Sequence, residues 1–243
     1  MFRSEYYEAM KLLAANKRLE HGISTNMLGL QKIRDLYKKE GIAIDLWQTS
    51  PRIRAVYMCD GGDPSVLVNR SLPKEPRLFA MVHELKHHYC DQKLLKNGQI
   101  RCGDYNANEL IEKAAEVFAA EFIYPAQEFL DCAESLGLKK GEVAPEEVVE
   151  LKRACGAPIS YKFLQKRLAW FGFINPDEFA KVQFQKLEEE IYGVPIYRGS
   201  RRGGDVAKPL RNGFPWTFGL RAGKRRWERF KGASSLYDHH GCV

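Results

Sequence analysis

The chain is short of cysteine and has no C-x-x-C pair: Cys59, Cys90, Cys102, Cys132, Cys155 and Cys242 stand far apart. This spacing argues against a zinc ribbon or a disulfide framework and for a reducing cytoplasm. No apolar run approaches the ~20 residues that a membrane-spanning helix needs, so no membrane association is expected. The opening stretch M-F-R-S-E-Y-Y-E-A-M-K carries acidic groups and lacks an apolar signal core, so export is not expected either. Histidine is scarce, with 6 in 243 residues, so any metal site has few imidazoles to draw on. What is present reads as globular: 44% hydrophobic and 12% aromatic residues can bury the core of one or two domains. The net charge of +7 is unevenly spread. Between Val194 and Val243, 11 Lys/Arg stand against 3 Asp/Glu, whereas the first 193 residues hold 27 basic and 28 acidic residues.

His83, Glu84 and His87 form H-E-x-x-H within L-F-A-M-V-H-E-L-K-H-H-Y. On a helix, residues four apart lie one turn above each other, so both imidazoles project from one face. A divalent metal about 2 Å from each nitrogen can bridge them. Glu84 then stands beside the open coordination position, where it can take a proton from water and pass it to a leaving amine. The motif is short, so its surroundings must carry part of the weight. Val66–Val68 reads as a strand, Pro73 and Pro76 as a turn region. A helix beginning near Arg77 presents Phe79, Ala80, Val82 and Leu85 to a core. A strand leading into such a helix recurs in zinc proteases, where the strand edge pairs with an extended substrate.

Two histidines need a third partner. A metzincin-type third histidine is excluded, because Cys90 stands at the glycine position and Lys93 at the histidine position. His88 points to another helix face, His21 lies far upstream, and His239 and His240 read as solvated tandem histidines. A carboxylate from a second helix, giving a His₂Glu set, fits better. The segment 107–123, A-N-E-L-I-E-K-A-A-E-V-F-A-A-E-F-I, is a strong helix former that Pro125 stops. Ala115, Phe118, Ala119 and Phe122 make its buried stripe, with Glu109, Glu112 and Glu116 on a neighbouring face. Glu109 and Glu121 read equally well as solvated. Glu112 is the stronger candidate, and Glu116, one turn on, can accept a hydrogen bond from a ligand histidine and fix its tautomer.

The stretches V-L-V-N-R, F-A-M-V-H-E-L-K-H-H-Y and E-K-A-A-E-V-F-A-A-E-F-I-Y-P together resemble the ImmA/IrrE family of metallopeptidases. The family pattern runs H-E-L-G-H-Y and, about two dozen residues later, E-x-x-A-N-x-F-A-A-E-L-L-M-P. The resemblance covers about Met27 to Pro125, and more loosely extends to Phe173 through G-A-P-I-S-Y-K-F-L-Q-K-R-L-A-W-F-G-F-I. It implies that His83, His87 and Glu112 hold Zn²⁺, with Mn²⁺ as the other candidate, and that Glu84 is the general base. It also implies a cytoplasmic endopeptidase that cuts a specific protein, a DNA-binding repressor, in a regulatory or stress response. Three positions depart from the pattern. Lys86 replaces a glycine, Glu116 replaces an asparagine and so becomes a rival for ligation, and Tyr124 replaces a methionine. Tyr89 and Tyr124 are candidates for steadying an oxyanion.

The expected fold class is α+β. A mostly helical, zincin-like domain at 1–125 holds a sheet of about three strands packed on the H-E-x-x-H helix. Helices are expected over Glu5–His21 and Thr25–Glu40, and strands over Gly41–Leu46, Arg54–Cys59 and Val66–Val68, with a turn at 60–63. A helical region at 126–192 follows, with Glu146–Cys155 and Ser160–Phe171 around a G-A-P turn. This pair reads as a helix-turn-helix whose Lys162, Gln165, Lys166 and Arg167 enter a DNA groove, or as a packed hairpin with a solvated basic face. Leu164, Leu168, Trp170 and Phe171 would supply its core either way. The extension at 193–243 interleaves Trp216, Phe218, Trp227 and Phe230 with basic residues, among them Arg225, Arg226 and Arg229, a mixture that suits phosphates and bases but equally an acidic protein surface, or a disordered extension whose aromatics pack intermittently. The alternative to a repressor-cleaving peptidase is therefore a DNA-associated regulator with a structural or vestigial metal site, or a SprT-like protease acting on DNA-bound proteins.

Overall fold

A three-stranded sheet with a buried central strand and two packed helices position the residues of interest. The computed structural model describes residues 3–50, 52–60, 63–96, 109–194 and 196. Arg225, Arg226, Arg229, the tandem His239 and His240, and the centre of the D-G-G-D turn lie outside the described residues.

Helix α1 (Arg3–Glu20) leads through a 3₁₀ turn (Thr25–Met27) into α2 (Leu30–Lys39). The single helix expected over Thr25–Glu40 is thus broken, because Leu28 and Gly29 are extended (Gly29 φ −166, ψ 175). After α2, Gly41 takes φ 68, and the Ile42 N–H returns to the Tyr37 carbonyl at 2.8 Å. This 6→1 closure at a left-handed glycine ends the helix and releases the chain into a strand.

Strands β1 (Ala43–Trp47), β2 (Ala55–Asp60) and β3 (Asp63–Asn69) form a sheet in the order β1-β3-β2. β1 runs parallel to β3 with Ile44 opposite Val66, and β2 runs antiparallel with Tyr57 opposite Val66. β3 is therefore central, and its Ser65–Asn69 stretch is buried throughout. The strand leading into the H-E-x-x-H helix has both edges occupied and cannot take a further strand. Among the described residues no strand pairs with the outer edge of β2.

Helix α3 (Lys74–Lys86) starts three residues before the expected Arg77. Pro76 sits in its first turn, where the missing N–H would have had no helical partner. The helix widens into one π turn (His87–Asp91) and continues as α4 (Gln92–Lys96). Helix α5 (Glu109–Ile123) packs against both α1 and α3, with Ala115, Phe118, Ala119 and Phe122 fully buried. Arg18 of α1 donates to the Phe122 carbonyl (2.6 Å) and to Thr25 Oγ1 (3.0 Å), tying the end of α5 to the N-terminal helix.

Helices α6 (Ala126–Ser135), α7 (Pro145–Ala154), α8 (Tyr161–Trp170) and α9 (Phe184–Tyr192) continue the same hydrophobic cluster, which runs from Met10 to Phe184. Ser160 Oγ caps α8 by accepting the Phe163 N–H at 3.2 Å. Two expectations for α8 are corrected. Arg167, expected on a basic face turned to solvent or to DNA, is buried: it donates to the Tyr124 carbonyl (2.6 Å) and to Glu121 (2.9 Å), closing the C-terminal end of α5. Trp170, assigned to the core, is 63% exposed, while Leu164 and Leu168 are fully buried. Among the described residues no helix is long and apolar enough to cross a membrane.

Candidate metal centre

Helix α3 supplies two imidazoles and α5 one carboxylate to a single buried point. His83 Nε2 lies 3.0 Å from Glu112 Oε2 and 3.3 Å from His87 Nε2, and His87 Nε2 lies 3.8 Å from Glu112 Oε2. A tetrahedral zinc with ligands at 2.0–2.1 Å has donor–donor edges of ~3.3 Å, so this triangle has the size of one face of such a site. All three residues are buried, and they form one of two His/Cys/Asp/Glu groups among the described residues whose donor atoms lie close enough to share a cation. Two nitrogens and one carboxylate oxygen are a donor set that zinc accepts.

The surroundings of the triangle make it selective for positive charge. His87 turns its other nitrogen, Nδ1, to Asp91 Oδ2 at 2.7 Å, which holds the ring and presents Nε2 to the centre. The same Asp91 oxygen takes the Lys86 ammonium at 2.7 Å, and that ammonium also reaches the Ile111 carbonyl at 3.3 Å. Lys86 is fully buried, so the residue at the family's glycine position neutralises Asp91 in the interior. Glu84 and Glu112 remain as further buried carboxylates. Burial alone would lower the His83 pKa, but the Glu112 hydrogen bond and the charges of Glu84, Glu112 and Glu116 outweigh it and hold it above the ordinary value. The carboxylates thus favour positive charge at the His83 ring.

Glu84, one residue from His83, receives the Tyr57 amide of β2 at 2.8 Å on Oε2. The carboxylate thus holds the outer edge of β2 at Tyr57, where both residues are buried.

Glu116 is placed differently from expectation. It completes no side of the triangle; its carboxylate lies 3.5 Å from Lys166 Nζ on α8, and its charge reaches His83 from outside. The carboxylate that grips a ligand histidine is Asp91, which the sequence reading missed. Its position four residues after His87 was the available signal. The Tyr57 amide was also missed, and a backbone group leaves no trace in sequence. Tyr89 and Tyr124 are engaged elsewhere: the Tyr89 hydroxyl donates to Glu40 (2.9 Å) and the Tyr124 hydroxyl to the Glu128 carbonyl (3.3 Å). Burial raises both phenols above their usual range, further from any role as an acid.

Residues 43–168, just over half of the chain, match the IrrE N-terminal-like domain of peptidase family M78. The chain belongs to this family. The matched segment contains the triangle, Glu84, Asp91 and the sheet edge. The ImmA/IrrE resemblance therefore holds, and with it a metallopeptidase type of domain. No curated protein matches the chain. Among solved structures, a Mycobacterium tuberculosis transcriptional regulator is 18% identical with a TM-score of 0.47, over 70% of this chain and 52% of that one. The M78 chain described here thus spans about half the length of that regulator.

Proposed function

We propose that this M78 domain is a zinc-dependent endopeptidase of the cytoplasm that hydrolyses one or few bonds in a specific protein, a DNA-binding repressor, in a regulatory or stress response. The observation that carries the reading is the meeting of His83, His87 and Glu112 at one buried point, with Glu84 of the same helix on the Tyr57 amide of β2. His83, His87 and Glu112 would hold the ion. A bound Zn²⁺ supplies Lewis acidity to a carbonyl and to a water. An extended substrate adds to the β2 edge, where backbone hydrogen bonds fix its register. Substrate replaces the Tyr57–Glu84 contact, which frees Oε2. Glu84 then accepts the proton of the attacking water and returns it to the leaving amine. The buried position of Glu84 keeps that proton from bulk solvent during the transfer.

The test uses the zinc-loaded full chain with a proteome-derived peptide library and with intact helix-turn-helix repressors, scoring new N-termini. Wild type should generate them; Glu84→Gln should retain zinc and lose activity by roughly 10²- to 10⁴-fold. Equal cleavage by the variant removes Glu84 from its role, and cleavage confined to peptides removes the repressor.

The surplus of 11 basic over 3 acidic residues after Tyr192 supports a second reading, a protease brought to DNA-bound protein by its basic extension. Removal of residues 193–243, with Arg225, Arg226 and Arg229, should abolish salt-dependent DNA binding and spare peptide cleavage.

A further inference from the structure

A second histidine–carboxylate cluster lies beyond the first, where α1, α2 and the π turn meet. His21 Nε2 stands 3.0 Å from Glu40 Oε1 and 3.6 Å from Glu20 Oε1, and Glu40 Oε2 stands 3.8 Å from His88 Nε2. The His21 side chain is only 10% exposed, and its Nε2, fully shielded from solvent, makes no hydrogen bond among the described residues. Although Glu40 is within reach, the nitrogen is not aimed along the line to the oxygen that a shared proton requires. A buried nitrogen left so is costly, and a nitrogen aimed between two carboxylates is how a ligand imidazole stands.

We infer that His21, Glu40 and Glu20 form a second site for a divalent first-row transition metal. His88 Nδ1 lies 3.1 Å from the Tyr57 hydroxyl and 3.2 Å from the Gln92 amide nitrogen, so Nε2 is the nitrogen turned to Glu40. The Gln92 amide nitrogen can only donate to Nδ1, which leaves the ring proton on Nε2, facing the Glu40 carboxylate. Glu40 Oε1 also accepts the Tyr89 hydroxyl at 2.9 Å, which orients the carboxylate. The imidazole favours zinc over magnesium and calcium, which prefer all-oxygen sites. Lys17 opposes the site: its ammonium holds Glu20 Oε2 at 2.8 Å and lies over the Tyr89 ring. The carboxylate is divided, with Oε2 on Lys17 and Oε1 towards His21. Occupancy therefore weakens the hold of Lys17, and the site binds less tightly than the triangle at His83.

The experiment uses the full, untagged chain carrying His83→Ala and His87→Ala, which lacks the first set of imidazoles. Zinc content after equilibrium dialysis and the zinc-dependent rise in Tm are measured with and without His21→Gln, Glu40→Gln or Glu20→Gln. The background chain should bind zinc and gain Tm, and each added substitution should remove one equivalent or weaken binding by at least roughly tenfold. Glu20 is half exposed, so Glu20→Gln leaves the fold intact and decides the matter should His21→Gln or Glu40→Gln fail to fold. Equal zinc content and equal Tm shift with and without Glu20→Gln overturn the site, as does a background chain that binds no zinc. Either result would identify the cluster as an ion-pair latch between α1 and α2.

Discussion

The pocket between α3 and α5 and the hairpin of α7 and α8 both bury charged side chains, yet they use them in opposite ways. In the hairpin each charge is answered within the protein: Arg167 meets Glu121 and the Tyr124 carbonyl, and Glu188 of α9 takes Arg153 (2.8 Å) and the Tyr161 hydroxyl (2.7 Å). In the pocket the outer groups are answered, His87 by Asp91 and Asp91 by Lys86, but the inner atoms of His83, His87 and Glu112 crowd against one another. Closed polar networks hold structure together; a network closed on its outer side and convergent within is built around a guest. Burial alone does not separate the two, because both contain buried charged groups. The direction of the remaining donors does.

The contrast can be broken most directly at Glu112. Glu112→Gln keeps the shape of the side chain and should cost zinc occupancy by more than the roughly hundredfold that an outer partner can contribute, with Tm of the metal-free chain little changed. Glu116→Gln should leave zinc content as in wild type, and loss of zinc there would move the third ligand one turn along α5. At Arg167 the pattern should invert. Arg167→Ala strands Glu121 and a buried carbonyl and should destabilise by about 3 kcal/mol, read as a lower Tm, with zinc content intact. Asp91 tests the seam between the two kinds of network. Asp91→Asn should weaken zinc binding by roughly 10- to 100-fold and lower Tm by leaving Lys86 without its counter-charge. Adding Lys86→Met should restore Tm but not zinc affinity. The smallest effect is in pH. The folded His83 pKa lies above its unfolded value of about 6.5. Its stabilising contribution to the metal-free chain is thus complete below pH 6.5 and is lost as pH rises through the folded value. The Tm difference between metal-free wild type and His83→Gln should narrow over that range, and a difference that widens instead would contradict the His83–Glu112 pairing.

Much of the pocket was legible in the sequence because helical spacing is a rigid ruler. His83 and His87 had to share a face, and the Ala-rich stripe around Phe118 turned Glu112 towards whatever α5 packed on. The strands at 43–47, 55–60 and 63–69 were legible as elements but not as an order, since a parallel β1–β3 pairing joins residues over twenty positions apart with no local mark. Arg167 was misjudged because an arginine reads the same whether its guanidinium faces phosphate, water or the last carbonyls of a neighbouring helix. Trp170 was misjudged because apolarity does not say on which side of α8 the core lies. Asp91 was overlooked because a π turn is set by the tertiary grip of Lys86 and His87, not by propensity.

That turn carries one residue more than ordinary helical winding would need. Because of the surplus, the two adjacent histidines at its start serve different neighbourhoods, His87 the pocket and His88 the hydroxyl of Tyr57. The wider winding absorbs the extra residue, so the side chains of α4 keep the facing they would have after a turn of regular pitch. Excising the exposed Cys90 would leave Asp91 three residues from His87 rather than four, still on one helical face. The turn is thus a place where the chain can change length by one without rotating the helix beyond it.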